Sequence, residues 1–213
     1  MAVTDITVAR MSEADITVIL ADMGRWEPNA QGRLEQAAME LFSEHGYEQT
    51  TVAEIAEHAG LTERTFFRHY ADKREVLFGG STHFRENFVG TLASAPASRT
   101  ALEAVTAAVE AAGAALDEFR GRGFARARQR VIVANPELRE RELIKLADVT
   151  AGMAEALRAR GVKEPEASMT AELGMAAFRV AFERWLAAGE ERELPELITE
   201  ALASVAATVG PSG

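Results

Sequence analysis

The stretch TTVAEIAEHAGLTERTFFRHYADKREVLF, residues 50–78, decides how the rest of the chain is read. It opens on Thr51-Val-Ala-Glu54, a capping box in which the hydroxyl accepts the third amide of a helix while Glu54 reaches back to the cap amide. Ile55, Ala56 and Ala59 give that helix an apolar side, and Gly60 ends it at a turn where a Cβ would be strained. Thr62 is the N-cap of the next helix, whose buried side the four-residue spacing of Phe66 and Tyr70 predicts. Ala56 is small where the two helices would cross closely. Two short capped helices joined by a tight glycine turn describe a helix-turn-helix. In such a motif the later helix offers its N-terminal residues to base edges in the major groove.

With Phe66 and Tyr70 inward, the opposite side of that helix carries Glu63, Arg64, Phe67 and Arg68. Two guanidiniums there suit bidentate contact to guanine or phosphate. Thr65 adds a hydroxyl and a methyl, and an outward Phe67 calls for a cover such as a thymine methyl or a sugar edge. Lys73 and Arg74 begin the following helix, within reach of flanking phosphates. Thr50 and Thr51 place hydroxyls and free amides at a helix N-terminus, a ready phosphate site. His69 stands between phosphate contact and simple packing.

Upstream, Leu34, Ala37, Ala38, Leu41 and Phe42 form one apolar face of a helix over 33–45, closed by Gly46. Glu35, Glu40 and Glu44 lie off that stripe and are expected to face solvent. Residues 1–23 carry no pattern that reaches a core. They read as a tail, or as chain preceding a true start at Met11 or Met23; the functional alternative is an arm to DNA, with Arg25 before Trp26 its only candidate. Downstream, periodicity predicts helices over about 73–92 (loosened at Gly79-Gly80), 98–119, 123–134, 136–160, 165–188 and 194–209. The fold class is all-α: an N-terminal three-helix helix-turn-helix domain plus a C-terminal helical ligand-binding and dimerisation domain. The divisions are a tail over 1–23, a DNA-binding domain over 24–75 with its motif at about 50–69, and an effector and dimerisation domain over 76–213.

Composition excludes several classes. The 213 residues contain no cysteine, which removes disulfides, thiolate zinc sites, iron–sulfur clusters and cysteine nucleophiles. No two histidines have metal-ligand spacing, and no cofactor is expected. No signal peptide and no bilayer-length apolar run is visible, so a cytoplasmic protein without a membrane partner is expected. The formal charge of −10 opposes a nucleic-acid reading. Residues 30–78 hold five basic and nine acidic residues, a net −4, but residues 62–74 hold four basic against two acidic. Phosphate contact is decided by the local field within a Debye length of about 10 Å.

The run from Gly24 to Phe78 resembles the N-terminal domain of the TetR (tetracycline repressor) family. The resemblance rests on the Ala-Ala/Leu-Phe helix, the Gly-Tyr bend, Thr-Thr-Val-x-x-Ile-Ala, Ala-Gly-Leu-Thr and the Phe-Arg-x-Tyr/Lys ending, in that order and spacing. It implies an all-α homodimer with a variable C-terminal ligand domain, and repression of an operator relieved by a small-molecule effector that shifts the two recognition helices from a spacing of about 34–36 Å or a small multiple of it. It also implies DNA contacts at Thr50, Thr51, Arg64, Thr65, Phe67, His69 and Lys73. Two positions depart from the family pattern: Phe67 stands where Tyr is frequent, and Arg64 where a small residue is frequent.

The C-terminal half is less specific. Phe84, Phe88, Phe119, Phe124 and Met153 read either as an apolar effector pocket or as plain core. Arg120, Arg122, Arg126, Arg128 and Arg130 read either as a solvated face or as a rim for an acidic effector such as a carboxylate or acyl-CoA, with Arg128 the chosen contact. His83 reads as partly buried or as a ligand contact. The helix at 165–188 is apolar on two faces: Ala171, Met175, Phe178, Phe182 and Trp185 on one, Met169, Leu173, Ala176, Ala177 and Val180 on the other. With the stripe of the last helix it predicts a dimer interface of Met169, Leu173, Ala177, Val180, Leu197, Ala201, Leu202 and Val205. The competing classes are a helical enzyme, for which no GxSxG, P-loop, HExxH or GxGxxG arrangement is present, and a protein-interaction bundle without DNA affinity.

Overall fold

Residues 30–209 are described by a computed structural model, apart from the side chains of 117, 119, 120 and 206–209. The expectations for residues 1–23 and Arg25, and those for the side chains of Phe119 and Arg120, lie outside the described residues. Among the described residues every regular element is helical.

Helix α1 (Ala30–Glu44) buries its expected stripe of Leu34, Ala37, Ala38, Leu41 and Phe42. Gly46 turns the chain at φ +86°, and Tyr47 packs edge-on against Phe42 with ring centres 5.1 Å apart. Helix α2 (Val52–His58) carries the capping box in full: Glu54 N donates to Thr51 Oγ1 at 3.2 Å, and Thr51 N to Glu54 Oε2 at 2.7 Å. Gly60 follows at φ +66°, and Arg33 donates to the Ala59 carbonyl beside it, closing the turn onto α1. Helix α3 (Glu63–His69) is capped by Thr62, which accepts from Thr65 N at 3.2 Å.

One helix expected over 73–92 is in fact two elements. A 3-10 turn covers Arg74–Phe78 and α4 covers Ser81–Ser94. The tight turn buries Val76, Leu77 and Phe78 together. A Cβ on Gly79 would run into the Glu35 carboxylate and stand 2.8 Å from the Tyr70 hydroxyl, so glycine lets the chain pass beside that pair. Helix α5 (Ala101–Ala134) is broken at Gly121, where φ +72° and ψ 157° are non-helical, near the expected boundary. Helices α6 (Pro136–Ala159), α7 (Glu166–Trp185) and α8 (Leu194–Val209) complete the order.

Two apolar cores result. The C-terminal one gathers Phe88, Leu92, Val105, Val109, Met153, Leu157, Phe178, Trp185, Leu194 and Ile198. The N-terminal one gathers Leu34, Phe42, Ile55, Phe66, Tyr70 and Phe78, and takes in Val131, Ile132 and Leu138 from the end of α5 and the start of α6. Glu35 corrects the expectation of a solvent-facing carboxylate. It is buried at 4% exposure, and Tyr70, from the far end of the motif, donates to it at 2.8 Å.

Candidate nucleic-acid interface

Helix α3 is held by its aromatic side. Phe66 is fully buried and Tyr70 nearly so, their ring centres 5.4 Å apart. Burying a side chain of this size contributes about 1.5–3 kcal/mol, so the orientation of a seven-residue helix is set by its packing rather than its propensity. The opposite side is open. Glu63, Arg64, Phe67, Arg68 and His69 are exposed and Thr65 is half-buried. Phe67 is 54% exposed, a large apolar ring beside two guanidiniums. Thr51 is also exposed, at the start of α2, although Glu54 already occupies its amide and hydroxyl.

Three expected phosphate contacts are engaged inside the protein. Thr50 is 1% exposed, and its hydroxyl donates to the Gly46 carbonyl at 2.9 Å. Its side chain is therefore removed from the DNA-facing set. Lys73 Nζ donates to the carbonyls of Tyr47 (2.7 Å) and Thr50 (3.0 Å) and lies 4.1 Å from the Tyr47 ring centre. It ties the loop before α2 to the chain after α3, with one N–H to spare for a phosphate. Arg74 forks onto Asp72 at 2.6 Å, and this pairing holds the Asp72 carboxyl below its usual range. Tyr47, noted in the sequence only as part of the Gly-Tyr bend, has its phenol pushed up by burial and by a hydrogen bond to Glu137.

In the arginine cluster Arg130 is exposed, as a solvated face predicts, whereas Arg122, Arg126 and Arg128 are engaged within the protein. Arg122 donates to the carbonyls of Glu190 and Arg192, and Arg126 to those of Leu186 (2.9 Å) and Ala187 (3.1 Å). Arg128 donates to the Leu77 carbonyl at 2.9 Å, pairs with Glu142 at 3.0 Å and covers the Phe78 ring. Arg126 thus meets the carbonyls at the C-terminal end of α7, as the partial negative charge there favours, while Arg122 holds the loop beyond it. Arg128 thus ties the later part of α5 to the 3-10 turn and to α6, with its guanidinium already engaged.

Of the described aromatic and methionine members of the expected pocket set, Phe84, Phe88 and Met153 gather in one core and Phe124 does not join them. Phe88 and Met153 are fully buried in the C-terminal core, where Phe84 packs on Phe88 and Phe178 with ring centres 4.9 and 5.5 Å away. Phe124 packs instead against the N-terminal core. His83 is 85% exposed and faces Glu86 at 3.2 Å, which corrects the expectation of a partly buried histidine. Of the dimer set, Ala177, Leu197 and Ala201 are buried in the chain's own core. Met169 (68%) and Val180 (53%) are exposed, and Leu173, Leu202 and Val205 are half-buried. No described helix is long and apolar enough to cross a membrane.

Comparison with known proteins bears on both halves. The family model for bacterial regulatory proteins of the tetR family matches residues 35–78, and the model for the MftR C-terminal domain matches residues 99–210. The chain is 31% identical over 196 residues to the "Putative mycofactocin biosynthesis transcriptional regulator MftR" of Mycobacterium tuberculosis, covering 88% of this chain and 93% of that one. It is 42% identical over 79 residues to the HTH-type transcriptional regulator TcmR of Streptomyces glaucescens, a match that spans only 35% of TcmR and 37% of this chain. The solved structure of SmeT, the repressor of the Stenotrophomonas maltophilia multidrug efflux pump SmeDEF, superposes with a TM-score of 0.57 at 22% identity, over 86% of this chain and 91% of SmeT. SmeT is also known as a complex with triclosan.

Proposed function

The chain belongs to the TetR family of bacterial regulatory proteins and is a DNA-binding transcriptional regulator, not an enzyme, and from that premise we propose that it is a homodimeric cytoplasmic repressor released from a two-fold operator by a small molecule. The observation that carries the DNA contact is the division of α3: Phe66 and Tyr70 are buried while Arg64, Phe67, Arg68 and His69 stand in solvent. Arg64 is the base reader, through its planar fork. Phe67 covers a thymine methyl or sugar edge, Thr51, Thr65 and His69 meet the backbone, and Lys73 adds one phosphate contact. The outer face of α7 at Met169, Leu173 and Val180, with Leu202 and Val205 of α8, is the surface offered to the second copy.

Release by an effector rests on the family and on the triclosan complex of SmeT, a repressor of the same fold. The effector enters the C-terminal domain, and the promoters governed by the MftR relative are the first to examine after the protein's own. The deciding experiment is a gel shift with the DNA upstream of its own gene. Wild-type protein retards it, and Arg64→Ala weakens binding by about 1–3 kcal/mol while relaxing sequence preference. Lys73→Ala weakens binding uniformly across sequences. Unchanged affinity in both variants would overturn the contact surface.

A further inference from the structure

We infer that Arg122 and Arg126 are positioning residues that fix the separation of the two DNA-reading heads, and so determine which half-site spacing the dimer accepts. The inference rests on the two-fold operator reading above and adds the part that sets its geometry.

Arg122 stands one residue past the break at Gly121. Its guanidinium donates to the Glu190 carbonyl and, at 2.5 Å, to that of Arg192. One turn further on, Arg126 reaches Leu186 and Ala187 at 2.9 and 3.1 Å. Two side chains of α5 thus hold four carbonyls in the loop that joins α7 to α8. That loop is tied in turn to α8, because Arg192 bridges Glu190 and Glu200 at 2.7 Å each and Arg184 meets Glu200 at 3.0 Å.

The other end of the same helical piece lies among the residues that seat the recognition helix. Ile132, about 15 Å along a helix from Arg122, is fully buried in the N-terminal core with Val131, alongside Phe66 and Tyr70. Midway, Arg128 holds the Leu77 carbonyl and Glu142. Residues 122–134 therefore form one short rod. Its first turn is fastened between the helices that carry Met169, Val180 and Leu202, and its last turn is fastened beneath the DNA-reading surface. Gly121 frees it from the preceding stretch of α5, so its direction is set by these attachments. A guanidinium fork that spans two carbonyls fixes direction as well as distance, which a lysine ammonium does not.

The test compares wild type, Arg122→Met/Arg126→Met and the exposed-site control Arg130→Met on duplex DNA that the wild-type protein selects from a random library. Each duplex is remade with one base pair added or removed between half-sites, a displacement of about 3.4 Å. Affinity is read by fluorescence anisotropy. Wild type and the control lose about tenfold or more on the altered spacing, whereas the double variant loses less than about threefold and binds its best site more weakly. A double variant that is dimeric by gel filtration, helical by circular dichroism and as discriminating as wild type overturns the inference. Wild type that is indifferent to spacing overturns the two-fold reading itself, and the inference with it. If the double variant does not fold, Arg126→Met alone decides: intermediate discrimination supports the rod, and wild-type discrimination overturns it.

Discussion

Tyr70 donates its phenolic hydrogen to Glu35 across 2.8 Å, with both side chains buried. The bond joins the residue that closes the recognition helix to the first helix of the domain. Tyr70→Phe leaves the Glu35 carboxylate one donor short, and a buried acceptor so deprived costs about 1–3 kcal/mol. The urea midpoint should fall accordingly, while operator affinity of the remaining folded protein stays near wild type.

Phe67 separates folding from binding. It is 54% exposed, so Phe67→Ala should change stability by no more than about 0.5 kcal/mol. The same change should weaken operator binding measurably by anisotropy. Phe67→Tyr, which supplies a hydroxyl toward the phosphates, should tighten binding equally across operator sequences. Wild-type affinity should also fall steeply with salt, since the contact is to a polyanion.

Glu75 makes the junction of the two cores pH-sensitive. It accepts from Arg141 at 2.5 Å and faces Lys145 at 3.3 Å. Burial pushes its carboxyl upward, but the Arg141 hydrogen bond and the Lys145 charge together outweigh that and leave it below the usual range. A carboxyl depressed in the folded state stabilises fully above the unfolded value of about 4.3, and its contribution drains away as pH falls through the lower folded value. The stability difference between wild type and Glu75→Gln should therefore be largest near neutrality and shrink as pH falls below the unfolded value of about 4.3, as denaturant titrations at several pH values would record.

The outer face of α7 should be sensitive to charge without being sensitive to folding. Val180 is 53% exposed in the single chain. Val180→Asp should keep the helical circular dichroism signal, raise the dimer dissociation constant at least about tenfold by analytical ultracentrifugation, and lose two-site operator binding with it. A dimer unaffected by this change would show that the partner sits elsewhere.

What was legible in the sequence is what local rules decide. Thr51 and Glu54 lie three residues apart, and Phe66 and Tyr70 four, so their cap and their buried face follow from helix geometry alone. What was not legible depends on chain brought in from a distance. Glu35 reads as a surface carboxylate until Tyr70 arrives beside it. Thr50 reads as a phosphate ligand until the Gly46 carbonyl takes its hydroxyl. The arginines after Gly121 read as a free cationic patch because carbonyl acceptors near residue 190, such as that of Arg192, leave no mark in a sequence. Ala177 shares a helical face with the exposed Met169 and Val180, and Leu197 and Ala201 share theirs with the half-buried Leu202 and Val205; periodicity does not say which layer covers which edge of a stripe.

The N-terminal core borrows Val131, Ile132 and Leu138 from the far side of the chain. A head cut out after Phe78 would leave bare the apolar patch those three residues cover, and would aggregate rather than read DNA on its own. Anyone grafting the operator preference of this regulator onto a relative must therefore transplant two pieces of chain, the contiguous motif and the later segment that roofs it, or accept a mismatched seam.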